Sequence, residues 1–108
     1  MTCNVGDVLL VKFPFTNLKK SKKRPVLVVK PENNLQDIVC FQITSNATQT
    51  NLLKILKNDL KNTTFNIQSY IKYDKCFTLS MEIVDKKIGE VSPSILKDLQ
   101  KLFCDELF

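Results

Sequence analysis

Histidine is absent from this 108-residue chain. That one absence removes the Ser-His-Asp triad and the imidazole proton shuttle, so any enzyme here works without the usual neutral-pH base. Cysteine does not fill the gap. Cys3, Cys40, Cys76 and Cys104 are scattered, with no C-x-x-C pair, whereas zinc sites use closely spaced ligands. The expectation is no metal and no cofactor, with four small, buried or half-buried thiols in a reducing compartment. Glycine occurs only at Gly6 and Gly89. Turns are therefore expected to lean on asparagine (Asn17, Asn33, Asn34, Asn46), the commonest other residue to tolerate left-handed backbone. No apolar run reaches the ~18 residues of a membrane span, and the N-terminus has no signal-peptide pattern, so a cytoplasmic protein without a membrane role is expected.

What is present suits one modest globular domain spanning 1–108, small enough that a partner subunit would help bury its surface. The apolar fraction is 44% and the net charge +5, a balance that attracts anionic partners such as nucleic acid. "DVLLVKF" (7–13) and "PVLVVK" (25–30) read as strands, being short, rich in valine and bounded by turn residues. "DIVCFQIT" (37–44) alternates, with Val39, Phe41 and Ile43 on a core face and Ile38, Cys40, Gln42 and Thr44 on the other. "LLKILK" (52–57), "SYIKYD" (69–74) and "KKIGEV" (86–91) are further expected strands. Ser92 and Pro93 then form a helix start. Ile95, Leu96, Leu99, Leu102 and Phe103 recur at three- and four-residue steps as one apolar stripe. The expected architecture is mainly β: a strongly bent antiparallel sheet or partial barrel, closed on one side by a C-terminal helix.

One stretch carries unusual charge. Lys19, Lys20, Lys22, Lys23 and Arg24 crowd into six positions and end directly before Pro25. A residue before proline is biased towards extended backbone, which places Arg24 at the mouth of a strand. The bland reading is a solvated loop; the sharp one is a planar guanidinium binding a phosphate bidentately, with the lysines attracting a nucleic-acid backbone. Thr44 is the second candidate, ending a strand on the face that carries Gln42; ordinary β-propensity is its bland reading.

Taken in order, "GDVLLVKFPFT", "KRPVLVV", "ITSN", "SYIKYDKCFTL" and "KKIGEVSPSIL" resemble the MazF/PemK/Kid family of toxins from bacterial type II toxin–antitoxin pairs. The likeness runs from Gly6 to the terminal helix. It implies an SH3-like small barrel of the CcdB/Kid/MazF architecture, a homodimer, and a sequence-specific endoribonuclease that cuts single-stranded RNA without a metal. It also implies growth inhibition, and DNA binding together with the antitoxin. The family's catalytic arginine and threonine fall on Arg24 and Thr44. RNA contacts are expected from Phe15, Asn17, Lys19, Lys20, Lys22, Lys23, Gln42, Ser45, Asn46 and Lys75. Gln42 departs from the proline or small residue common in relatives and adds a donor and an acceptor to the substrate face. The implied partner is an antitoxin whose acidic, disordered C-terminal segment wraps the dimer. Two alternatives stand beside this reading. One is a CcdB-like toxin that binds DNA gyrase. The other is a non-catalytic RNA-binding barrel with Phe13, Phe15 and Tyr70 as stacking surfaces.

Overall fold

The computed structural model describes residues 2–13, 22–63 and 69–107. Among them, seven strands form one antiparallel sheet: β1 Asp7–Phe13, β2 Lys22–Lys30, β3 Asp37–Thr44, β4 Leu52–Ile55, β5 Leu60–Lys61, β6 Ser69–Ser80 and β7 Val84–Val91. Their order across the sheet is β4-β6-β3-β2-β1-β7-β5. A 15-residue helix, α1 (Pro93–Leu107), follows β7. The mainly-β sheet with a C-terminal helix is the expected architecture. Register irregularities in β1–β7, β2–β3 and β3–β6 bend it, since extra residues in one strand kink and twist a ladder.

The sheet has an apolar cluster on each face. On one, Val8, Leu27, Phe41, Ile43 and Ile71 meet Ile95 and Leu99 of α1. The Phe103 ring stands edge-on to Phe41 at 5.3 Å and 85°, the geometry aromatic quadrupoles favour. On the other face, Leu9, Val11, Val26, Val28, Ile38 and Cys40 pack together, flanked by Phe77, Leu79, Met81, Ile83 and Val84. This corrects the one-sided reading of β3. Ile38 and Cys40 have no exposed surface, and only the Gln42 and Thr44 end of that face stays half-open. Alternating burial identifies a strand correctly but cannot tell one covered face from two.

Some boundaries also move. β2 begins at Lys22, so Arg24 lies within the strand, paired with Val11, and not at its entrance. β6 continues past Asp74 to Ser80. The two-residue β5 gives no alternation to read. Asparagine serves turns in two ways. Asn51 and Asn62 adopt positive φ, whereas Asn33 and Asn46 act as side-chain acceptors for backbone N–H groups two and four residues on. Asn17 lies outside the described residues. Ser92 stands at the helix start, its carbonyl accepting from the Ile95 N–H at 3.1 Å. Its hydroxyl lies against that of Ser94 at 3.1 Å.

Candidate functional site: a polar end on one sheet face

Strand register assembles the site. Directly opposite residues in an antiparallel pair project to the same face with Cβ atoms about 4.5–5.5 Å apart. Val26 pairs with Gln42, Gln42 with Lys72, and Lys72 with Leu52, making one row across β2, β3, β6 and β4. Two residues further along, Thr44 pairs with Tyr70 and Tyr70 with Lys54. The β2–β3 ladder stops at Val26, one residue after Pro25, which has no N–H to give. Continuing its register by one same-face step sets Arg24 opposite Thr44. The second apolar cluster therefore gives way to Arg24, Gln42, Thr44, Tyr70, Lys72 and Lys54 on a single face.

Arg24 is exposed and Thr44 half-buried. The Thr44 hydroxyl accepts from the Asn46 N–H at 3.1 Å, which turns the chain sharply at the end of β3. A hydroxyl has one proton and two lone pairs, so Thr44 keeps its proton to donate while the turn fixes its oxygen. Asn46 in turn accepts from the Thr48 N–H at 3.0 Å and the Thr48 hydroxyl at 2.6 Å. The segment after Thr44 is thus built by its own side chains.

Lys72 is the residue the sequence did not flag. Its side chain is 10% exposed. The ammonium donates to the Thr50 carbonyl at 2.9 Å and pairs with Asp74 at 2.9 Å. Asp74 also accepts from the Asn51 side-chain amide at 3.1 Å. The Asn51 carbonyl takes the Tyr73 N–H at 3.1 Å, with Asn51 at φ 59°. Lys72, beside Asp74, holds the Asp74 carboxyl below the usual carboxylate range. These bonds tie the β3–β4 loop, which begins at Thr44, onto β6. The "SYIKYD" pattern marks only a strand, and the partners Thr50 and Asn51 are about twenty residues away, beyond local periodicity.

The other expected contacts divide. Ser45 and Asn46 are exposed beside Thr44. Lys75 is exposed in the irregular Tyr73–Lys75 stretch where β6 has no β3 partner, outside both rows. Lys23, adjacent to Arg24 in the strand, projects to the opposite face and pairs with Asp85 at 3.1 Å. Lys22 is described by its backbone alone, opposite Phe13. Phe15, Asn17, Lys19 and Lys20 lie outside the described residues. Among the described residues, no three Cys, Asp or Glu side chains converge into a metal-holding group. No described helix is long and apolar enough to cross a membrane.

Comparison with known proteins bears on the fold and the family. A structure of MazF from Deinococcus radiodurans superposes with a TM-score of 0.76 at 15% identity, covering 99% of this chain and 97% of that one. A mycobacterial endoribonuclease in complex with its cognate antitoxin gives 0.71 at 17% identity, over 95% and 90% of the two chains. The Mycobacterium tuberculosis toxin MazF-mt6 gives 0.68 at 17%, over 92% and 93%. At these identities the likeness establishes the fold. No curated protein sequence matches the chain. The family model of PemK-like, MazF-like toxins of type II toxin–antitoxin systems matches residues 4–107. With that match running almost end to end over a MazF-like fold, the chain belongs to the PemK-like, MazF-like toxins of type II toxin–antitoxin systems.

Proposed function

We propose that this toxin is a cytoplasmic, homodimeric, sequence-specific endoribonuclease that cleaves single-stranded RNA without a metal, inhibiting translation and growth. The observation that carries this reading is the placement of Arg24 and Thr44 on one sheet face of the neighbouring strands β2 and β3, each two residues beyond the Val26–Gln42 pair. The 2′-OH oxygen of the substrate bonds to the adjacent phosphorus while the P–O5′ bond breaks. The 2′-OH loses one proton and the leaving 5′ oxygen gains one, giving a 2′,3′-cyclic phosphate and a 5′-OH. Because the nucleophile belongs to the RNA, no serine, cysteine or activated water is required of the protein.

Negative charge grows on the phosphoryl oxygens in the transition state. A guanidinium already in place there stabilises it without reorganisation. The Thr44 proton, donated to a phosphate oxygen or to the 2′ oxygen, fixes the in-line geometry in which positioning lowers the barrier most. In this reading Arg24 and Thr44 both act through charge and position. Gln42, half-buried between Val26 and Lys72, supplies an amide donor and acceptor for reading a base edge. Restraint would come from an antitoxin whose acidic C-terminal segment, ordering only on binding, sets carboxylates where RNA phosphates otherwise lie. The mycobacterial endoribonuclease bound to its cognate antitoxin supports that partner class.

The test is incubation of the purified protein with a long RNA in EDTA, followed by mapping of the ends. Cyclic-phosphate ends at a recurring short motif are expected, as is resistance of a substrate with 2′-deoxyribose at the cut site. Cleavage of the 2′-deoxy substrate, or a strict need for magnesium, would overturn the mechanism.

A further inference from the structure

Resting on the ribonuclease reading, we propose that Tyr70 and Lys54 form a second nucleotide subsite beside Arg24 and Thr44. The base next to the cut stacks on the Tyr70 ring, and the Lys54 ammonium takes the neighbouring phosphate.

The placement follows from register. Thr44 pairs with Tyr70 and Tyr70 with Lys54, so the three project to the same face in consecutive steps of about 5 Å between Cβ atoms. Lys54 therefore stands about 10 Å from Thr44, and its flexible four-carbon stem adds reach. Tyr70 is half-buried and Lys54 exposed. Residues 69–72 alternate: Ile71 points into the helix-side cluster, with no exposed surface, which turns Tyr70 to the site face.

The cations of this face are already sorted by chemistry. The Lys72 charge is matched by Asp74 and spent on the Thr50 carbonyl. Arg24 is assigned to the scissile phosphate. Lys54 extends the positive track to the edge strand β4. An aromatic face flanked by two phosphate-seeking cations is the arrangement by which sheet surfaces bind single strands. The alternative is that Tyr70 serves only as a cross-strand filler between Thr44 and Lys54.

The experiment measures binding of a fluorescent RNA carrying 2′-deoxyribose at the mapped cut site, at fixed salt. Tyr70→Ala should weaken binding about 5- to 150-fold, the range of one stacked base, and Tyr70→Phe should stay near wild type. An abasic nucleotide next to the cut should weaken wild-type binding by a similar factor yet cost Tyr70→Ala nothing further. Lys54→Gln should lower the slope of log K against log salt by about 0.7, one phosphate contact on a single strand. A filler role predicts equal losses for Tyr70→Ala on abasic and intact RNA, and an unchanged salt slope for Lys54→Gln; either result overturns the subsite. If wild type cuts RNA while the coupling is absent, the subsite alone fails. If wild type neither binds nor cuts RNA, the ribonuclease reading fails with it.

Discussion

Removing Asp74 should cost more stability than removing Lys72, although Lys72 is the more buried partner. The Lys72 side chain is 10% exposed and that of Asp74 28%. Asp74→Ala leaves a buried ammonium with only the Thr50 carbonyl, and an orphaned buried charge is the expensive outcome. Lys72→Met removes the charge and fills most of the space. The carboxylate left behind is partly exposed, keeps Asn51 as a donor and turns to water. The expected losses are about 3 kcal/mol for Asp74→Ala and about 1 kcal/mol for Lys72→Met. At about 4 °C per kcal/mol for a domain of this size, the midpoints fall by about 12 and about 4 °C. The double variant should sit near Lys72→Met alone, because the charge that made Asp74→Ala costly is gone. pH supplies a second arm. The Asp74 carboxyl is depressed in the folded state, so its stabilisation is present above the ordinary 3.8 and is lost as pH falls through the lower folded value. Wild type should therefore lose its advantage over Lys72→Met below pH 3.8. Thermal and urea unfolding followed by circular dichroism read both. Equal losses for the two single variants, or a larger one for Lys72→Met, would refute the reasoning.

Three further outcomes test the fold and its thiols. Leu99→Ala, at a position 2% exposed under the helix, should cost about 2–5 kcal/mol by leaving a cavity against Phe41 and Ile95, read as a lower urea midpoint with the same slope. Gly6→Ala should cost about 1 kcal/mol or more, because Gly6 sits at φ +92° with a Cβ position 3.4 Å from Leu96. Burial pushes the Cys40 thiol up to about 12, and burial with the Glu32 carboxylate pushes Cys3 up to about 11, against an ordinary 9.0. The folded state thus holds these protons more tightly than the unfolded state. The contribution of these two thiols to stability should be flat below pH 9 and decline from pH 9 towards 12. Cys40→Ala should make that decline shallower in alkaline urea titrations.

Much of this molecule is legible in its local pattern. "DVLLVKF" and "DIVCFQIT" give the observed bounds of β1 and β3, because alternation and β-branched side chains act within the strand itself. Ser92-Pro93 marks the helix start for an equally local reason. Illegible features depend on distant partners. Arg24 is drawn into β2 by Val11 of β1. The burial of Ile38 and Cys40 on a second face comes from the β6–β7 segment. Lys72 reads as an ordinary polar strand residue until the Thr50 carbonyl arrives from the β3–β4 loop. Arg24 and Thr44 could be named from family motifs. That they share one face beyond the Val26–Gln42 pair follows only from pairing β2 with β3.

The most direct test of the central claim is the single-turnover cleavage rate of Arg24→Ala and Arg24→Lys on one mapped RNA, with folding checked by circular dichroism. Arg24 is exposed at the edge of the apolar cluster, so both variants should fold. Losing a preorganised donor at a developing charge should slow Arg24→Ala about 10²–10³-fold. Arg24→Lys should recover only part of that, since an ammonium keeps the charge and loses the bidentate fork. A folded Arg24→Ala protein that cuts RNA at the wild-type rate would contradict the assignment of this face as the active site.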